Sequence, residues 1–537
     1  MQTLNDVLRG HAHSRGDALA LVYPQDGRSW TFAELQQQSN QAAAALAALG
    51  IGAQDRIAVL DKNVPEYFVY LYGGAKLGAV TVAVNWRLAA PEIEYVLNHS
   101  QAKVLLVGRA FAAQLAQMQL PHLRQIIVVG DDTAANGATG ATDATGATDT
   151  GTAAYPAFAQ WIGAHARAVD PQIAVAAGDT CLQLYTSGTT GRPKGVETTH
   201  DNLFGTFAAG FNLYRMSAAS VSLVCMPLFH IGASGWGLIS HFYGARVVVL
   251  NEAHAAQIVA QIPAQQVSHA LLVPAVLQQL VQLPGTEAAD FSSLQIILYG
   301  ASPISEAVLV QSMRLFHCGF MQAYGMTETT GLGALLLPED HDPGGPRAHL
   351  LRSCGKAPGA LQIKLLGSDG APVAADGDVG EIWIHGPSIM KGYWQDPEAT
   401  RAAIDADGWL RTGDMAYQRD GYLFIHDRAK DMIISGGENV YPAEVENVLM
   451  QCPGIRDVAV IGVPSERWGE TVKAIITAAD PALREADVLA FCAARLARYK
   501  CPTSVDWVDA IPRNPSGKIL KNQLREPYWV GKTRRVG

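Results

Sequence analysis

Positive charge is in short supply in this sequence: 40 Lys and Arg face 49 Asp and Glu, for a net charge of −9. A surface of that balance does not attract a nucleic-acid backbone as a whole, so DNA and RNA are not expected partners. Cysteine is equally sparse as a scaffold. The seven, Cys181, Cys225, Cys318, Cys354, Cys452, Cys492 and Cys501, form no C-x-x-C pair and have no histidine cluster at zinc spacing. That argues against a disulfide framework or a structural zinc and for core thiols in a reducing compartment. The nearest thing to a membrane segment is Met216 to Ala245, which has no Asp, Glu, Lys or Arg. Pro227, His230, His241 and four glycines inside it fit buried strands and a pocket wall better than a membrane-spanning helix. Met1 to Val7 lacks the basic flank and apolar run of a secretory signal, so the expected location is cytoplasmic.

What is present is the composition of a well-buried α/β protein, 49% hydrophobic and 17% charged over 537 residues, enough for roughly three or four structural units. Its most concentrated chemistry is Tyr185-Thr186-Ser187-Gly188-Thr189-Thr190-Gly191-Arg192-Pro193-Lys194-Gly195. Three glycines let the backbone turn its N–H groups toward a ligand, four hydroxyls add donors, and Lys194 adds a mobile positive charge. Together they suit a polyphosphate. The ordinary P-loop needs Lys directly after the last Gly and Ser or Thr directly after Lys. Here Arg192-Pro193 intervene and Gly195 follows.

This loop, Tyr324-Gly325-Met326-Thr327-Glu328, Thr412-Gly413-Asp414 and Pro515-Ser516-Gly517-Lys518 follow one another with characteristic intervals. Over nearly its whole length the chain thereby resembles the acyl-adenylate-forming superfamily, which includes acyl-CoA synthetases, firefly-type luciferases and peptide-synthetase adenylation domains.

Taken in order, Thr31 with Glu34 three residues on forms a capping box that opens a helix to about Leu49, stopped by Gly50. Arg56 to Leu60, Ala79 to Val84, Lys103 to Val107 and Gln125 to Val129 read as strands, and Glu66 to Leu77 as a helix, the alternation of a layered α/β fold. Residues 131–154 collapse to Gly, Ala, Thr and Asp and bury too little to offset their ordering entropy, so a mobile surface loop is expected there. Strand-like runs ending at Pro227-Leu228-Phe229-His230 and at Gly300-Ala301-Ser302 place two loops where open α/β sheets bind ligands. Residues from about 335 to 427 have shorter strands with frequent Gly, Pro and Asp, which predicts a β-barrel-like subdomain completing a large domain of residues 1–427. A hinge at residues 428–430 leads to a small mobile α/β domain at 431–537, with a helix from Pro442, strands at Asp457 to Val463 and Val472 to Ala478, and a helix at Glu485 to Tyr499.

Joining a carboxylate to ATP brings two anions together, so phosphates must be neutralised and the carboxylate held in line. The resemblance implies the division of labour. Thr186, Ser187, Gly188, Thr189, Thr190, Gly191 and Lys194 hold the β- and γ-phosphates, Thr327 reaches the α-phosphate, and Glu328 binds Mg²⁺, which accompanies ATP. Gly300, Ala301 and Ser302 lie against adenine, Tyr324 stacks on it, and Asp414 takes the ribose hydroxyls with help from Arg428. Lys518 bridges the carboxylate and α-phosphate oxygens. Rotation about Lys430 then withdraws Lys518 and brings in Ser435, Gly436 and Gly437, past which pantetheine runs. Asp427 stands where the family has Gly, which leaves the ease of that rotation open. Trp468 is either a stacking partner for the CoA adenine or a core indole.

His230 is expected at the mouth of an acyl pocket formed by Ser234, Gly235, Trp236, Gly325 and Gly331. Acetyl-CoA synthetases have Trp at the position of Gly325, so an open space there favours a medium- or long-chain fatty acid. An aromatic or steroid-derived acid is the alternative, because Trp236 is displaced by two residues from the gating Trp of long-chain enzymes. CoA is the expected acceptor, since no carrier domain follows Lys518. A catalytically silent lipid- or nucleotide-binding protein is the reading of another class. Peripheral membrane contact and a homodimer stay open.

Overall fold

The computed structural model describes residues 2–530 other than 131–154, 187–192, 211, 303, 368, 374, 429–430, 436–437, 466–467 and 514–518. The expected loop at 131–154, Lys430, Gly436, Gly437 and Lys518 therefore lie outside the described residues, as do Ser187, Gly188, Thr189, Thr190 and Gly191.

Two large sheets carry the first part of the chain. The eight-stranded one runs, in spatial order, Ala334–Leu336, Gly319–Tyr324, Ile296–Gly300, His269–Leu272, Val221–Val224, Arg246–Val249, Leu19–Tyr23 and Arg28–Thr31. All but its two edge strands are parallel. The seven-stranded one runs Gly392–Tyr393, Lys194–Thr199, Thr180–Thr186, Val80–Ala83, Arg56–Leu60, Val104–Gly108 and Gln125–Val129. Its last five strands are parallel. Strands covered on both faces need continuous apolar runs, and Arg56–Leu60 and Val104–Gly108 are buried at every position.

The helix Glu66–Lys76 is buried along all eleven residues, and one hydrophobic cluster joins it to side chains of both sheets. Its two charged ends are tolerated because Arg28 reaches Glu66 and Asp170 reaches Lys76 at 3.0 Å. The helix before it, Phe32–Ala48, opens with the Thr31/Glu34 capping box expected from the sequence.

Residues Met216 to Ala245 depart from the expected run of buried strands. Val221–Val224 is a strand, but Ile231–Phe242 is a helix despite three glycines. Propensity yields to packing: a Cβ on Gly237 would lie 2.7 Å from Phe68 Cζ, so the small residue lets this helix approach the buried one.

The third sheet, Gln362–Leu366, Val379–His385, Leu410–Arg419 and Tyr422–Arg428, is antiparallel with its own core around Ile382 and Ile384. Beyond it, Gly469–Ala478 pairs with Ile455–Ser465, Ile433–Ser435 and, in parallel, Ser504–Trp507. The helices Pro442–Leu449 and Glu485–Ala493 pack on this sheet through Val445, Leu449, Val488 and Cys492. The second helix stops at Ala493, short of the expected Tyr499. The chain turns there, and Leu496 and Cys501 still reach the same core. All seven cysteines are free, five of them buried.

Candidate adenylation site

Parallel strands deliver their following loops to one edge. The loops after Val221–Val224, Ile296–Gly300 and Gly319–Tyr324 therefore share the carboxyl edge of the eight-stranded sheet. They carry His230, Gly300 to Ser302, and Tyr324 to Glu328. Ala301 has φ +66°, a left-handed conformation that costs a non-glycine residue free energy and is commonest at functional loops.

The seven-stranded sheet meets this edge through its hairpin. Thr186 pairs with Lys194 across the antiparallel ladder. The Thr186 hydroxyl lies 3.5 Å from Glu328 Oε1. The Tyr393 hydroxyl donates to the same oxygen at 2.9 Å, and Lys194 Nζ stands 4.9 Å from the centre of the Tyr393 ring. Burial, reinforced by the Glu328 charge, raises the Tyr393 hydroxyl far above its ordinary range, so it stays a donor. Tyr393 escaped the sequence reading. Its strand of two residues, Gly392–Tyr393, carries no periodic signal, and only its pairing with Val196 and Glu197 brings it to Glu328.

The third sheet supplies Asp414. The Tyr324 hydroxyl donates to Asp414 Oδ2 at 2.8 Å, and the Thr412 hydroxyl accepts from the Asp414 backbone N–H at 3.1 Å. Asp414 also faces Arg428 in the backbone register. Tyr324 and Asp414, 90 residues apart, thus form one buried unit.

His230 caps the helix Ile231–Phe242 and packs against Phe229 at 4.5 Å between ring centres. Among the described residues its Nε2 is buried without a partner. Burial, aided by the Arg87 charge, lowers its pKa to about 4, so the ring is neutral at pH 7. Ser234 donates back to the His230 carbonyl at 3.1 Å.

The space expected beside Gly325 is not open. A Cβ there would stand 2.4 Å from the Gly331 carbonyl oxygen and 2.7 Å from the Leu332 nitrogen, both backbone atoms. The turn that follows Glu328 folds back onto it, with the Gly331 N–H donating to the Met326 carbonyl. Open space lies instead at Gly232, where a Cβ would meet nothing within 4 Å, and beside Gly235 and Gly331, where it would meet only Ile231. Gly325→Ala is therefore expected to cost about 2 kcal/mol of stability and most activity with every acid, because backbone must shift. A variant that folds normally and only prefers shorter acids would restore the open-space reading.

A second concavity of about 320 Å³ is lined by Asn63, Trp86, Arg87, Met226, Pro227, His254 and Val273, among others. It lies at a topological switch point, since the chain leaves Val221–Val224 toward Arg246–Val249 on one side and His269–Leu272 toward Ile296–Gly300 on the other. Arg87 sits 4.6 Å from the Trp86 ring centre, and Trp86 meets Phe229 edge-on at 6.4 Å. Glu252 lines the same hollow and faces Arg87 electrostatically, and Phe229 contacts both Trp86 and His230.

Among the remaining expected residues, Thr327 opens a short 3-10 turn with Glu328, and Ser435 ends the strand Ile433–Ser435. Trp468 is 46% exposed, which rules out the core-indole alternative. No group of three or more metal-ligating side chains occurs among the described residues. Nor is any helix there long and apolar enough to cross a membrane.

Burial also lowers His200, His241 and His341 to about 4. The unfolded chain takes up these protons near pH 6.5 and the folded one only near 4, so stability falls as pH drops through that window. Asp61, raised to about 7 by burial, works in the opposite direction, but it is one group against four with His230. The urea midpoint should therefore be lower at about pH 5 than at about pH 7. Equal midpoints would show that these histidines are protonated in the folded protein.

Three sheets thus meet around the buried carboxylate of Glu328, with Thr186 and Tyr393 beside it, and around the Tyr324–Asp414 pair. The chain matches the family model of AMP-binding enzymes over residues 8–394 and that of the AMP-binding enzyme C-terminal domain over residues 444–518. It belongs to that family and is an AMP-forming acid–thiol ligase. It is 36% identical over 545 residues to the fatty acid–[acyl-carrier-protein] ligase ScoC of Streptomyces coeruleorubidus, covering 100% of this chain and 98% of that protein. It is likewise 36% identical over 505 residues to a feruloyl-CoA synthase of Amycolatopsis, covering 94% of each. A solved Mycobacterium tuberculosis fatty acyl CoA synthetase superimposes with a TM-score of 0.75 at 34% identity, over 99% of each chain.

Proposed function

We propose that this protein converts a hydrophobic carboxylic acid and ATP into an acyl-adenylate and pyrophosphate, then transfers the acyl group to the thiol of CoA with release of AMP. The observation that carries the reading is the Glu328 cluster, where Thr186, Lys194 and Tyr393 from one sheet meet a buried carboxylate from another. Lys194 and the hydroxyls of residues 186–190 would neutralise the ATP phosphates. Tyr324 and Asp414 would orient the nucleoside, the carboxylate accepting from ribose hydroxyls. Thr327 and Lys518 would position the acid against the α-phosphorus, where the carboxylate oxygen attacks and pyrophosphate leaves. One buried carboxylate with neighbouring hydroxyl oxygens fits Mg²⁺, which keeps waters and shares phosphate oxygens with its nucleotide. Bound there with ATP, it would supply charge neutralisation. Glu328 would hold it.

A neutral His230 beside Gly232 and Gly235 lets an acid approach without a fixed charge in its path. The absence of charged side chains between Met216 and Ala245 favours a medium- or long-chain aliphatic tail. An aromatic acid is the second reading, favoured by Trp236 and by the similarity to a feruloyl-CoA synthase.

The hollow beside Phe229 gives a phosphate-bearing thiol an approach to the adenylate, with Arg87, which shares the hollow with Glu252, as its anion partner. Arg87→Ala should raise the KM for CoA about tenfold while pyrophosphate release in the absence of CoA continues; an unmoved KM would take CoA elsewhere. AMP and thioester formation with ATP, Mg²⁺, CoA and acids from acetate to palmitate, benzoate and cinnamate tests the whole reading. Adenylate without CoA thioester would point to a carrier protein as acceptor, as in the name of the Streptomyces coeruleorubidus relative.

A further inference from the structure

Thr186 and Tyr393 contact Glu328, and Lys194 lies near the Tyr393 ring. Each of the three has an immediate neighbour in the chain that is hydrogen-bonded to one turn of the helix Ala90–Ser100. Beside Thr186, the Tyr185 hydroxyl lies 2.8 Å from His99 Nδ1. Beside Lys194, the Pro193 carbonyl accepts from the Tyr95 hydroxyl at 3.3 Å. Beside Tyr393, the Trp394 indole N–H donates to the His99 carbonyl at 3.0 Å. Tyr95 and His99 stand four residues apart on one helix face, and their rings stack at 5.3 Å between centres.

The direction of the His99 contact is set by a group that only donates. Arg56 Nε donates to Gln183 Oε1 at 3.2 Å, which turns the amide nitrogen toward Tyr185, and that nitrogen donates to the Tyr185 oxygen at 3.1 Å. The hydroxyl proton is then left for His99 Nδ1, which accepts it. Burial lowers the His99 pKa and raises that of Tyr185, which favours the acceptor form of the one and the donor form of the other. Arg56 also pairs with Glu197 at 3.0 Å and lies 3.4 Å from the centre of the Trp394 ring. Covering a sheet needs only apolar surface, whereas these contacts end one residue away from three members of the Glu328 cluster.

Resting on the ligase reading above, we propose that Tyr95 and His99 are positioning residues for ATP: by fixing Pro193 and Tyr185 they hold Lys194 and Thr186 where the phosphates are bound opposite Glu328. They act through the backbone of their neighbours, and a small displacement of such groups is costly for binding and chemistry alike.

Two measurements on the full chain test this. Pyrophosphate release gives kcat and the KM for ATP and for the acid, and calorimetric titration with ATP and Mg²⁺, without acid, gives a Kd that needs no turnover. His99→Leu removes the acceptor and should raise the KM and Kd for ATP about tenfold, with the KM for the acid changed less than about twofold. His99→Asn keeps a side-chain oxygen to accept from Tyr185 and should return both ATP values to within about threefold of native. Tyr95→Phe keeps the ring stack and loses only a half-exposed hydroxyl, so it folds, and it should raise the ATP Kd about threefold. An ATP Kd unmoved by Tyr95→Phe and His99→Leu overturns the proposal. So does equal weakening in His99→Asn and His99→Leu, or a KM for the acid that rises in step with that for ATP. A native chain that binds ATP but releases no pyrophosphate with any acid would remove the ligase reading, while the same order of Kd values among the variants would keep the positioning role.

Discussion

Glu328→Gln is expected to slow adenylate formation about a thousandfold, or about 4 kcal/mol of transition-state stabilisation, with little change in folding stability. Gln is nearly the same shape and keeps a carbonyl oxygen to accept from Tyr393, and the Met390 N–H donates to the backbone carbonyl of residue 328, which the change leaves alone. What disappears is the negative charge. In a buried setting beside Thr186 and Tyr393, that charge has no water to replace it as a partner for a phosphate-bound cation. Pyrophosphate release measured against Mg²⁺ concentration checks the argument. The variant should need far more Mg²⁺ for its remaining activity. An unchanged rate and Mg²⁺ dependence would assign Glu328 to folding alone. Tyr393→Phe removes one donor and keeps the charge, so a smaller loss of about tenfold is expected from it.

Lys518→Ala is expected to cost on the order of 3–4 kcal/mol in adenylation, comparable to removing one oxyanion donor. Thioester formation from a supplied acyl-adenylate should continue if, as the family resemblance implies, rotation about Lys430 withdraws this lysine before the thiol arrives. Separate assays of pyrophosphate release and of acyl transfer distinguish the two steps. Equal losses in both would mean that Lys518 supports the fold or the nucleotide rather than the first step, and normal adenylation would end its assignment.

Much of the architecture is legible along the chain because its causes are local. Thr31 and Glu34 cap a helix by hydrogen bonds three residues apart, and that helix begins where they stand. The alternation of apolar strands and helices between Arg56 and Val129 predicts a layered α/β fold for the same reason, since each strand must be covered by its neighbouring helices. The Gly-rich helix at Ile231 was hidden because its glycines oppose helical propensity, and only close contact with Phe68 makes it favourable. The end of the helix at Ala493 was misjudged because its apolar pattern continues through a turn.

The chemical inventory is also a property of the sequence. The phosphate loop, Tyr324 to Glu328, Thr412 to Asp414 and Pro515 to Lys518 declare the adenylate chemistry by residue type and order, and the family match agrees with them. Which groups touch was decided by tertiary structure. Tyr324 meets Asp414 and Tyr393 meets Glu328 only because three sheets share one edge, and a one-dimensional pattern does not encode distances between sheets. The shape of the acid pocket belongs to the same class of fact. Gly325 reads as open space in sequence, yet the returning Gly331 backbone fills it, and the room appears at Gly232 instead. Glycine specifies that a side chain is absent; the packing of distant segments determines whether ligand or backbone occupies the space.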